Sequence, residues 1–407
     1  MSTEFDLIIL GGGCAGLSLA LRLAALGERC PRTLIIEARH AYTNDRTWCF
    51  WGEPAAPLRH LVQQRWNALT VHTDAGQVRV DCSATPYQRI SADAFYTEAL
   101  AKVASNQAIT LLLGESVDGT PRKAEQAWHV TCRQNAYRAA MLIDTRAGAG
   151  IGEQPSAEAT LWQSFYGQEI VCSAPIFDPA CVTLMDFRGT GLERILFTYV
   201  LPLSAHRALI EVTQFGPTPL RPKQLSDELA LAVAACTGAT RFEVLRYEHG
   251  MLPMGLQVSA ANSAAKSAAK SAAQCDPTYV RAGILQGAAR PATGYAFQRI
   301  QRWAELCAER LGEGALPLAH VADPPLLRAL DGLFLSLLRA RPDIAPALFL
   351  RLFDTVDSGC LTRFLSEQGS LTDCAKIVAA LPARPFLRHL PIALKQLATR
   401  RSAVLPA

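Results

Sequence analysis

One carboxylic acid interrupts an otherwise apolar segment, residues 207–215, which reads RALIEVTQF. The β-branched and apolar residues predict a β-strand, in which successive side chains point to opposite faces. Glu211 therefore shares a face with Leu209, Thr213 and Phe215. Because a carboxylate on an apolar surface is costly unless it is paired or used, Glu211 is either a surface or salt-bridge acid or a group with a chemical role.

Three glycines near the start of the chain mark a second candidate site. Gly11, Gly13 and Gly16 form a GxGxxG motif between an apolar strand, FDLIIL, and an apolar helix, LSLALRLAAL. The first glycine allows a tight turn, the second lets a pyrophosphate approach the backbone, and the third allows close packing of helix and strand. Glu37 ends the next predicted strand, 21 residues after Gly16. An acid there accepts hydrogen bonds from ribose hydroxyls, so the pattern predicts dinucleotide binding.

A second glycine-rich segment, RAGILQGAARPATGYAFQRI, lies far along the chain at residues 281–300. Gly283, Gly287 and Gly294 allow backbone approach, and the helix predicted after Pro291 offers its N-terminus. An N-terminal fingerprint followed by such a late segment favours FAD over NAD, with the late segment closing over the flavin. On the glycines alone, an ordinary loop is the alternative.

Composition excludes several classes of protein. The 407 residues are 50% hydrophobic and 19% charged, so more than one domain is expected. No run of apolar residues is long enough to predict a spanning helix, and the acids in MSTEFDLIIL argue against a secretory signal. The 12 cysteines form neither a CxxC pair nor a Cys/His cluster, so we expect a reducing cytoplasm and no metal site. The net charge of +4 gives no reason to expect nucleic acid as a partner.

The order of elements predicts a mixed α/β protein. We assign residues 1–150 and 276–310 to a FAD-binding Rossmann domain, and residues 151–258 to an antiparallel-sheet substrate domain. Residues 259–275 are a low-complexity Ser/Ala/Lys segment without an apolar stripe, and residues 311–407 form a helical C-terminal region. From Lys376 onward the chain has six Lys or Arg and no Asp or Glu. Such an end suits either contact with anionic lipid or plain solvation.

Several motifs resemble one family, the lycopene β-cyclases of the bacterial flavoprotein type. They are NDRTWCFW at 44–51, FYGQEI at 165–170, LMDFR at 184–188, the pair LPLS and ALIEVT, and RPATGYAFQRIQ at 290–301. They fall in the family's order and span residues 5 to about 305. The glycine fingerprint is shared by many flavoproteins, whereas the first and last of these blocks are more specific.

The resemblance implies a glutathione-reductase-type FAD fold and a reaction without net redox change. Linear lycopene would be closed at its ψ ends into β-ionone rings, giving γ-carotene and then β-carotene. Reduced FAD would be required, with NAD(P)H as reductant. The anionic reduced flavin would stabilise the carbocation electrostatically. Since the substrate has no polar group, the resemblance also implies a protein at the inner face of the membrane, bound peripherally.

The resemblance also assigns roles to residues. Glu211 matches the essential acid of the family's strand motif, and an apolar tunnel would raise its pKa so that it could act as a proton donor; an ionised Glu211 that steadies the cation is the alternative. The family usually has a second acid where this chain has Val212, which alternation places on the opposite face. Asp186 in LMDFR is a second candidate acid.

Further residues around the two sites have open alternatives. Arg46 would pair with a phosphate or else be a surface arginine. Trp48 and Phe50, with Tyr295 and Phe297, would line the flavin or polyene tunnel or else be core packing. The competing function is an FAD-dependent monooxygenase or reductase acting on another hydrophobic substrate. Many such hydroxylases carry Gly-Asp in the late flavin strand, where this chain reads RAG.

Overall fold

The computed structural model describes residues 3–52, 56–133, 135–146, 159–256, 276–366 and 368–391. The strands, in chain order, are β1 (Glu4–Leu10), β2 (Thr33–Glu37), β3 (Thr47–Trp51), β4 (Gln64–Trp66), β5 (Ala68–Thr73), β6 (Gly76–Asp81), β7 (Tyr87–Ser91), β8 (Ile109–Leu113), β9 (Arg122–Ala124), β10 (Ala127–Cys132), β11 (Asn135–Asp144), β12 (Leu161–Cys172), β13 (Cys181–Asp186), β14 (Ile195–Pro202), β15 (Arg207–Gly216), β16 (Phe242–Met254) and β17 (Tyr279–Arg281). The helices are α1 (Cys14–Ala24), α2 (Ala92–Ala104), α3 (Ser226–Thr237), α4 (Phe297–Gly312), α5 (Pro325–Ala340), α6 (Ala345–Thr355), α7 (Ser358–Leu365) and α8 (Leu371–Ala380), followed by helical residues 383–391.

The first sheet has the Rossmann arrangement that the sequence predicts. Its order is β8-β2-β1-β11-β10-β9, and β17 adds to it beside β11. Strands β8, β2, β1, β11 and β17 are parallel to one another, whereas β10 pairs antiparallel with both β11 and β9. Parallel strands are covered on both faces, which explains why β1 and β2 are nearly continuous apolar runs. Helix α1 packs between α2 and α4, and Gln301 donates a 2.7 Å hydrogen bond to Ser18 across the buried α1–α4 contact.

The second sheet is the one that carries Glu211. Its order is β16-β12-β15-β14-β13-β5-β6, and every pair is antiparallel except β13 with β5. One face packs against α3, where Val212 lies in the buried cluster with Leu229 and Val233. The other face packs against the C-terminal helices, through residues such as Phe215 and Phe353. Val212 therefore lies on the face opposite to Glu211, as alternation predicts.

One part of the predicted domain division is wrong. Residues 68–81 were assigned to the FAD-binding domain, but β5 and β6 extend the second sheet, with Ala68 paired to Cys181. The reason is that local patterning predicts a strand and not the sheet it joins, and this pairing spans more than one hundred residues of chain. Strands β3, β7 and β4 form a separate small sheet.

Three further predictions concern the low-complexity segment, membrane-spanning helices and metal sites. The low-complexity segment 259–275 lies outside the described residues. Within the described ranges, no helix is both long enough and apolar enough to cross a bilayer. In the same ranges, no cluster of three or more His, Cys, Asp and Glu is placed to hold a metal ion.

Candidate active site

The glycine loop between β1 and α1 is shaped by close backbone contacts. Gly11 has a φ of +91°, a conformation that favours glycine. A Cβ added to Gly16 would lie 2.0 Å from the carbonyl oxygen of Gly11. Helix α1 then begins at Cys14, so its free N–H groups face the cavity beside Gly11 and Gly13. This geometry is that of an anion-binding helix N-terminus.

Glu37 lies at the end of β2, beside this loop. Its Oε2 accepts a 2.6 Å hydrogen bond from the backbone N–H of Gly12, and its Oε1 accepts two from Arg39 at 2.8 and 3.0 Å. Burial alone would raise the pKa of Glu37, but the hydrogen bonds from Arg39 and Gly12 outweigh it and hold that pKa below its ordinary value. Glu37 is thus an ionised acceptor that lines the cavity.

The late glycine segment returns to the first domain. Gly283 and Gly294 have φ values of +103° and +72°, and both line the same cavity as Gly11. Gly287 has a φ of +89° but is not among the lining residues; its carbonyl accepts a hydrogen bond from Arg299 instead. The structure therefore brings Gly283 beside the glycine loop, near Thr145 and Ala15, whereas Gly294 lies on the cavity wall next to Gln163 and Leu252 of the second sheet.

A single cavity of about 2730 Å³ connects the nucleotide end to the second sheet and the C-terminal helices. Its walls are mainly apolar and aromatic beyond the glycine loop. Trp48, Tyr295 and Phe297 line it, as predicted for a tunnel. Phe50 does not: it is buried behind Phe297, with ring centroids 5.5 Å apart, so its prediction as a tunnel residue is wrong. Trp48 and Phe50 are two residues apart, which predicts that they share a face of the strand. This pattern does not predict that Phe297 covers Phe50.

Glu211 lies inside this cavity. Leu209, Thr213 and Phe215 line it too, so the face predicted from alternation is the cavity face. On the neighbouring strand β12, Gly167 is paired with Glu211, and a Cβ on Gly167 would lie 2.4 Å from Cγ of Glu211. The absence of a side chain at Gly167 is what gives the Glu211 carboxyl its space.

The surroundings of Glu211 favour its protonated form. The residue is buried, and among the described residues its Oε1 has no hydrogen-bond partner. Burial, and next the charge of Glu248, raise the pKa of Glu211 well above its ordinary value, against smaller opposing effects of Arg246 and Arg46. A protonated carboxyl in an apolar cavity is a general acid at neutral pH.

Glu248 also lies at this site, although no role could be assigned to it from the sequence pattern. It lies on β16, also paired with Gly167, so Glu211 and Glu248 flank the same glycine on one face. Its Oε2 accepts a 2.6 Å hydrogen bond from Thr47 and is paired with Arg246. The alternation within EHGMLPM would have placed Glu248 on one face of a strand, but only the strand pairing brings it to Glu211.

Arg46 lies at the same part of the cavity. It lines the wall, donates a 2.7 Å hydrogen bond to the carbonyl of Asp45, and acts electrostatically on both Glu211 and His249. Arg46 therefore lies close enough to Glu211 to influence its charge. The pairing of Arg46 with a phosphate stays a prediction.

Asp186 is not brought to the cavity, and its prediction as a second acid is wrong. Both of its oxygens accept hydrogen bonds from the Arg188 side chain, at 2.9 Å for Oδ1, and the pair faces solvent. Burial would raise the pKa of Asp186, but hydrogen bonds from Arg188 outweigh it and lower that pKa. Asp186 is the last residue of β13, and the two residues before it, Leu184 and Met185, do line the cavity.

We therefore expect Asp186→Asn to leave catalysis unchanged within about twofold, because Asp186 is paired with exposed Arg188 and does not line the cavity. Folding should be little affected, since an exposed ion pair contributes only about 0–1 kcal/mol to stability. Initial turnover rates of the variant and of the unaltered protein, measured side by side, check this. A hundredfold loss of turnover with the flavin retained would return Asp186 to the list of candidate acids.

Comparison with solved structures places the fold. A geranylgeranyl bacteriochlorophyll reductase-like protein from Thermoplasma acidophilum matches with a TM-score of 0.59 and 13% identity, over 95% of this chain and 99% of that chain. The flavin-dependent brominase Bmp2 matches with a TM-score of 0.58 and 11% identity, over 93% of this chain and 98% of that chain. Together with the glycine loop, these likenesses define an α/β protein with the fold of the FAD-dependent reductases and monooxygenases.

The sequence comparisons narrow this class. The family model described as lycopene cyclase protein matches residues 6–390, and the chain belongs to that family. A lycopene beta-cyclase from Pseudescherichia vulneris is 26% identical over 95% of this chain and 98% of its own length. One from Pantoea ananas is 27% identical over 96% of this chain and 98% of its own length. The family predicted from the sequence motifs is confirmed.

Proposed function

We propose that the nucleotide end of the cavity binds FAD. The support is the chemistry of the residues there: free N–H groups at the start of α1, a tight turn that a Cβ at Gly16 would prevent, and the carboxylate of Glu37 at the end of β2. The late glycine Gly283 completes the wall from the other side, next to Thr145 and Ala15. An elongated dinucleotide fits this set of donors and acceptors, and NAD(P)H is the proposed reductant.

We propose that the chain is a lycopene β-cyclase that closes the ψ ends of lycopene into β-ionone rings without net redox change. The observation that supports it most directly is the buried Glu211, whose unpartnered oxygen lies in an apolar cavity continuous with the nucleotide end. Reduced FAD, when bound, would supply a negative charge that stabilises a carbocation electrostatically, without transferring electrons to it. The first products would be γ-carotene and then β-carotene.

The residues of the chain divide the work in this proposal. Glu211 donates its proton to the terminal double bond; the resulting cation is attacked by the next double bond, and a ring carbon–carbon bond forms. Loss of a proton from the ring to the Glu211 carboxylate then restores the acid, so the product has the mass of the substrate. Aromatic walls such as Phe197 and Tyr199 exclude water, which would otherwise quench the cation, and offer ring faces to its charge.

The test is an anaerobic incubation of the purified protein with lycopene in liposomes, with and without NADPH, followed by pigment chromatography and mass measurement. Cyclic products of unchanged mass, formed only when the flavin is reduced, are the expected result. A product heavier by oxygen or by hydrogen would instead support the competing monooxygenase or reductase. No conversion despite bound, reducible FAD would exclude lycopene as the substrate.

We further propose that the protein is cytoplasmic and binds the inner face of the membrane through the helices at the cavity mouth. Val378, Leu387 and Leu390 line the cavity and are also exposed, by 50%, 66% and 39%. Arg384 and Arg388 are exposed beside them. Apolar side chains flanked by cations suit an anionic bilayer, from which a substrate without polar groups can enter.

Reversing these two charges, as Arg384→Glu with Arg388→Glu, should weaken binding to phosphatidylserine vesicles by roughly tenfold or more, because each cation near an anionic surface contributes about 1 kcal/mol. Vesicle flotation measures this. The matched control is Lys223→Glu with Arg241→Glu, which reverses two exposed charges away from the mouth. Equal flotation of both double variants would contradict the proposed surface.

A further inference from the structure

We propose that Glu248 is the positioning partner of Glu211: it forms with Glu211 a cross-strand carboxyl pair that holds one proton, so that Glu211 meets the substrate as an acid. This inference rests on the proposed function and adds to it a second acid from a different strand, in place of the one that Val212 removes. In this proposal, two acids on different strands of the sheet take the place of two acids that are adjacent in sequence.

The strand register supports a pair rather than two independent acids. Gly167 on β12 is paired with Glu211 on one side and with Glu248 on the other. Residues in register across a sheet lie on the same face, and the glycine leaves the space between the two carboxyls without a side chain. The charge of Glu248 acts on Glu211 across this gap, and two carboxyls can share a hydrogen bond only when one of them is protonated.

The contacts of the two residues decide which one keeps the proton. Glu248 has strong donors: Thr47 at 2.6 Å and the Arg246 guanidinium. Arg246 is in turn fixed by the buried Glu169 at 2.7 Å and by Thr47 at 2.8 Å. Glu211 has an oxygen without a partner among the described residues. Because donors stabilise the ionised form, Glu248 is the carboxylate and Glu211 the acid.

Other charged or titratable groups face the pair from each packed element. Tyr199 on β14 is directly paired with Glu211 and donates a 3.0 Å hydrogen bond to Tyr87 on β7, which contacts Tyr295. Cys49 on β3, Arg46 just before that strand, and Arg89 on β7 lie near the two acids. Arg246 and Arg46 oppose protonation of Glu211, and burial together with the Glu248 charge outweighs them. Among these groups, Glu248 is therefore the one whose charge favours the protonated form of Glu211.

The pair has a defined role in the reaction. Proton transfer from Glu211 to the terminal carbon breaks its O–H bond and leaves two neighbouring carboxylates, a state that strongly favours recapture of a proton. The ring carbon that loses its proton supplies it, the C–H electron pair becomes the ring double bond, and the pair again holds one proton. Glu248 thus drives the return of the acid to its starting form without touching the polyene.

Glu248→Gln tests this, with the full-length, FAD-loaded protein. Without the neighbouring charge, Glu211 should ionise at lower pH, so the alkaline limb of the pH–rate profile should move down by roughly one unit or more. Activity on the alkaline side of the limb should fall about tenfold for each unit that the limb moves, and return as the pH is lowered. Glu248→Asp, which keeps the charge, should leave the limb near its original pH. A loss of activity at every pH, or an unmoved limb, would overturn the proposal.

A second readout needs no substrate. Infrared difference titration of the protonated carboxyl, assigned by its absence in Glu211→Gln, should give a midpoint that drops in Glu248→Gln. The control is Glu169→Gln, which removes the other partner of Arg246 and should leave the midpoint high. An unchanged midpoint in Glu248→Gln would overturn the pairing even if lycopene is converted. A lowered midpoint in a protein that does not convert lycopene would leave the pair standing and reject only the substrate.

Discussion

Glu211→Gln should reduce the rate of cyclisation by roughly 10²- to 10⁴-fold, the usual contribution of a general acid. The amide is nearly the same size as the carboxyl and fits the space that Gly167 leaves, but it has no acidic proton. Binding of FAD and its reduction by NADPH should be unchanged, because Glu211 lies on the second sheet and the glycine loop on the first. Pigment chromatography after single-turnover incubation with reduced flavin measures the effect.

The matched control is Glu243→Gln, an exposed carboxyl on the same sheet, which should keep full activity. Stability gives an independent check. Since the folded-state pKa of Glu211 is raised, its neutral form stabilises the fold below the unfolded-state pKa, and this stabilisation is lost as the pH rises through the folded-state pKa. The unaltered protein should therefore lose thermal stability at alkaline pH relative to Glu211→Gln. Full activity in Glu211→Gln would remove Glu211 from its proposed role.

Gly16→Ala should abolish FAD binding and destabilise the first domain. The new Cβ would lie 2.0 Å from the Gly11 carbonyl oxygen and 3.1 Å from the Thr145 hydroxyl, and the backbone atom cannot rotate away. Overpacking of this kind costs about 1–3 kcal/mol or more, and the turn that faces the pyrophosphate would shift with it. Flavin absorbance after purification and the midpoint of thermal unfolding measure the two effects.

The control for this substitution is Gly332→Ala within α5. A Cβ at that position meets no atom within 4 Å, and alanine is the better helix former, so stability should rise by about 0.4–1 kcal/mol with FAD retained. Should Gly16→Ala bind FAD as tightly as Gly332→Ala, the close packing of α1 against the glycine turn would not be what shapes the site.

The sequence predicts the features that depend on short-range pattern. The glycine loop is encoded within one βαβ unit, and the cavity face of Glu211 follows from the two-residue period of a strand. What it missed depends on long-range pairing. Glu248 is brought to Glu211 only because both strands pair with β12, and residues 68–81 join a sheet whose next strand, β13, begins at Cys181.

Two individual side chains show the same limit at a finer scale. Asp186 has an apolar strand before it, as a site acid would, but its partner two residues later turns it towards solvent. Phe50 lies two residues after Trp48, so alternation places both on one face of the strand, as for two cleft residues. Phe297, from a helix more than two hundred residues later, nevertheless covers Phe50. In both residues the local pattern is compatible with two environments, and tertiary contacts choose between them.

The continuity of the cavity has a kinetic consequence for a substrate with two identical ends. Within the described residues, Glu211 and Glu248 form one carboxyl pair in the cavity wall, on the second sheet, and the glycine loop lies on the first sheet. A symmetrical chain that has been closed at one end must withdraw, turn round and enter again before its other end can reach the same acid. The ratio of one-ring to two-ring product would then depend on how long the one-ring product stays near the cavity entrance. A longer residence time at the bilayer would increase the share of two-ring product.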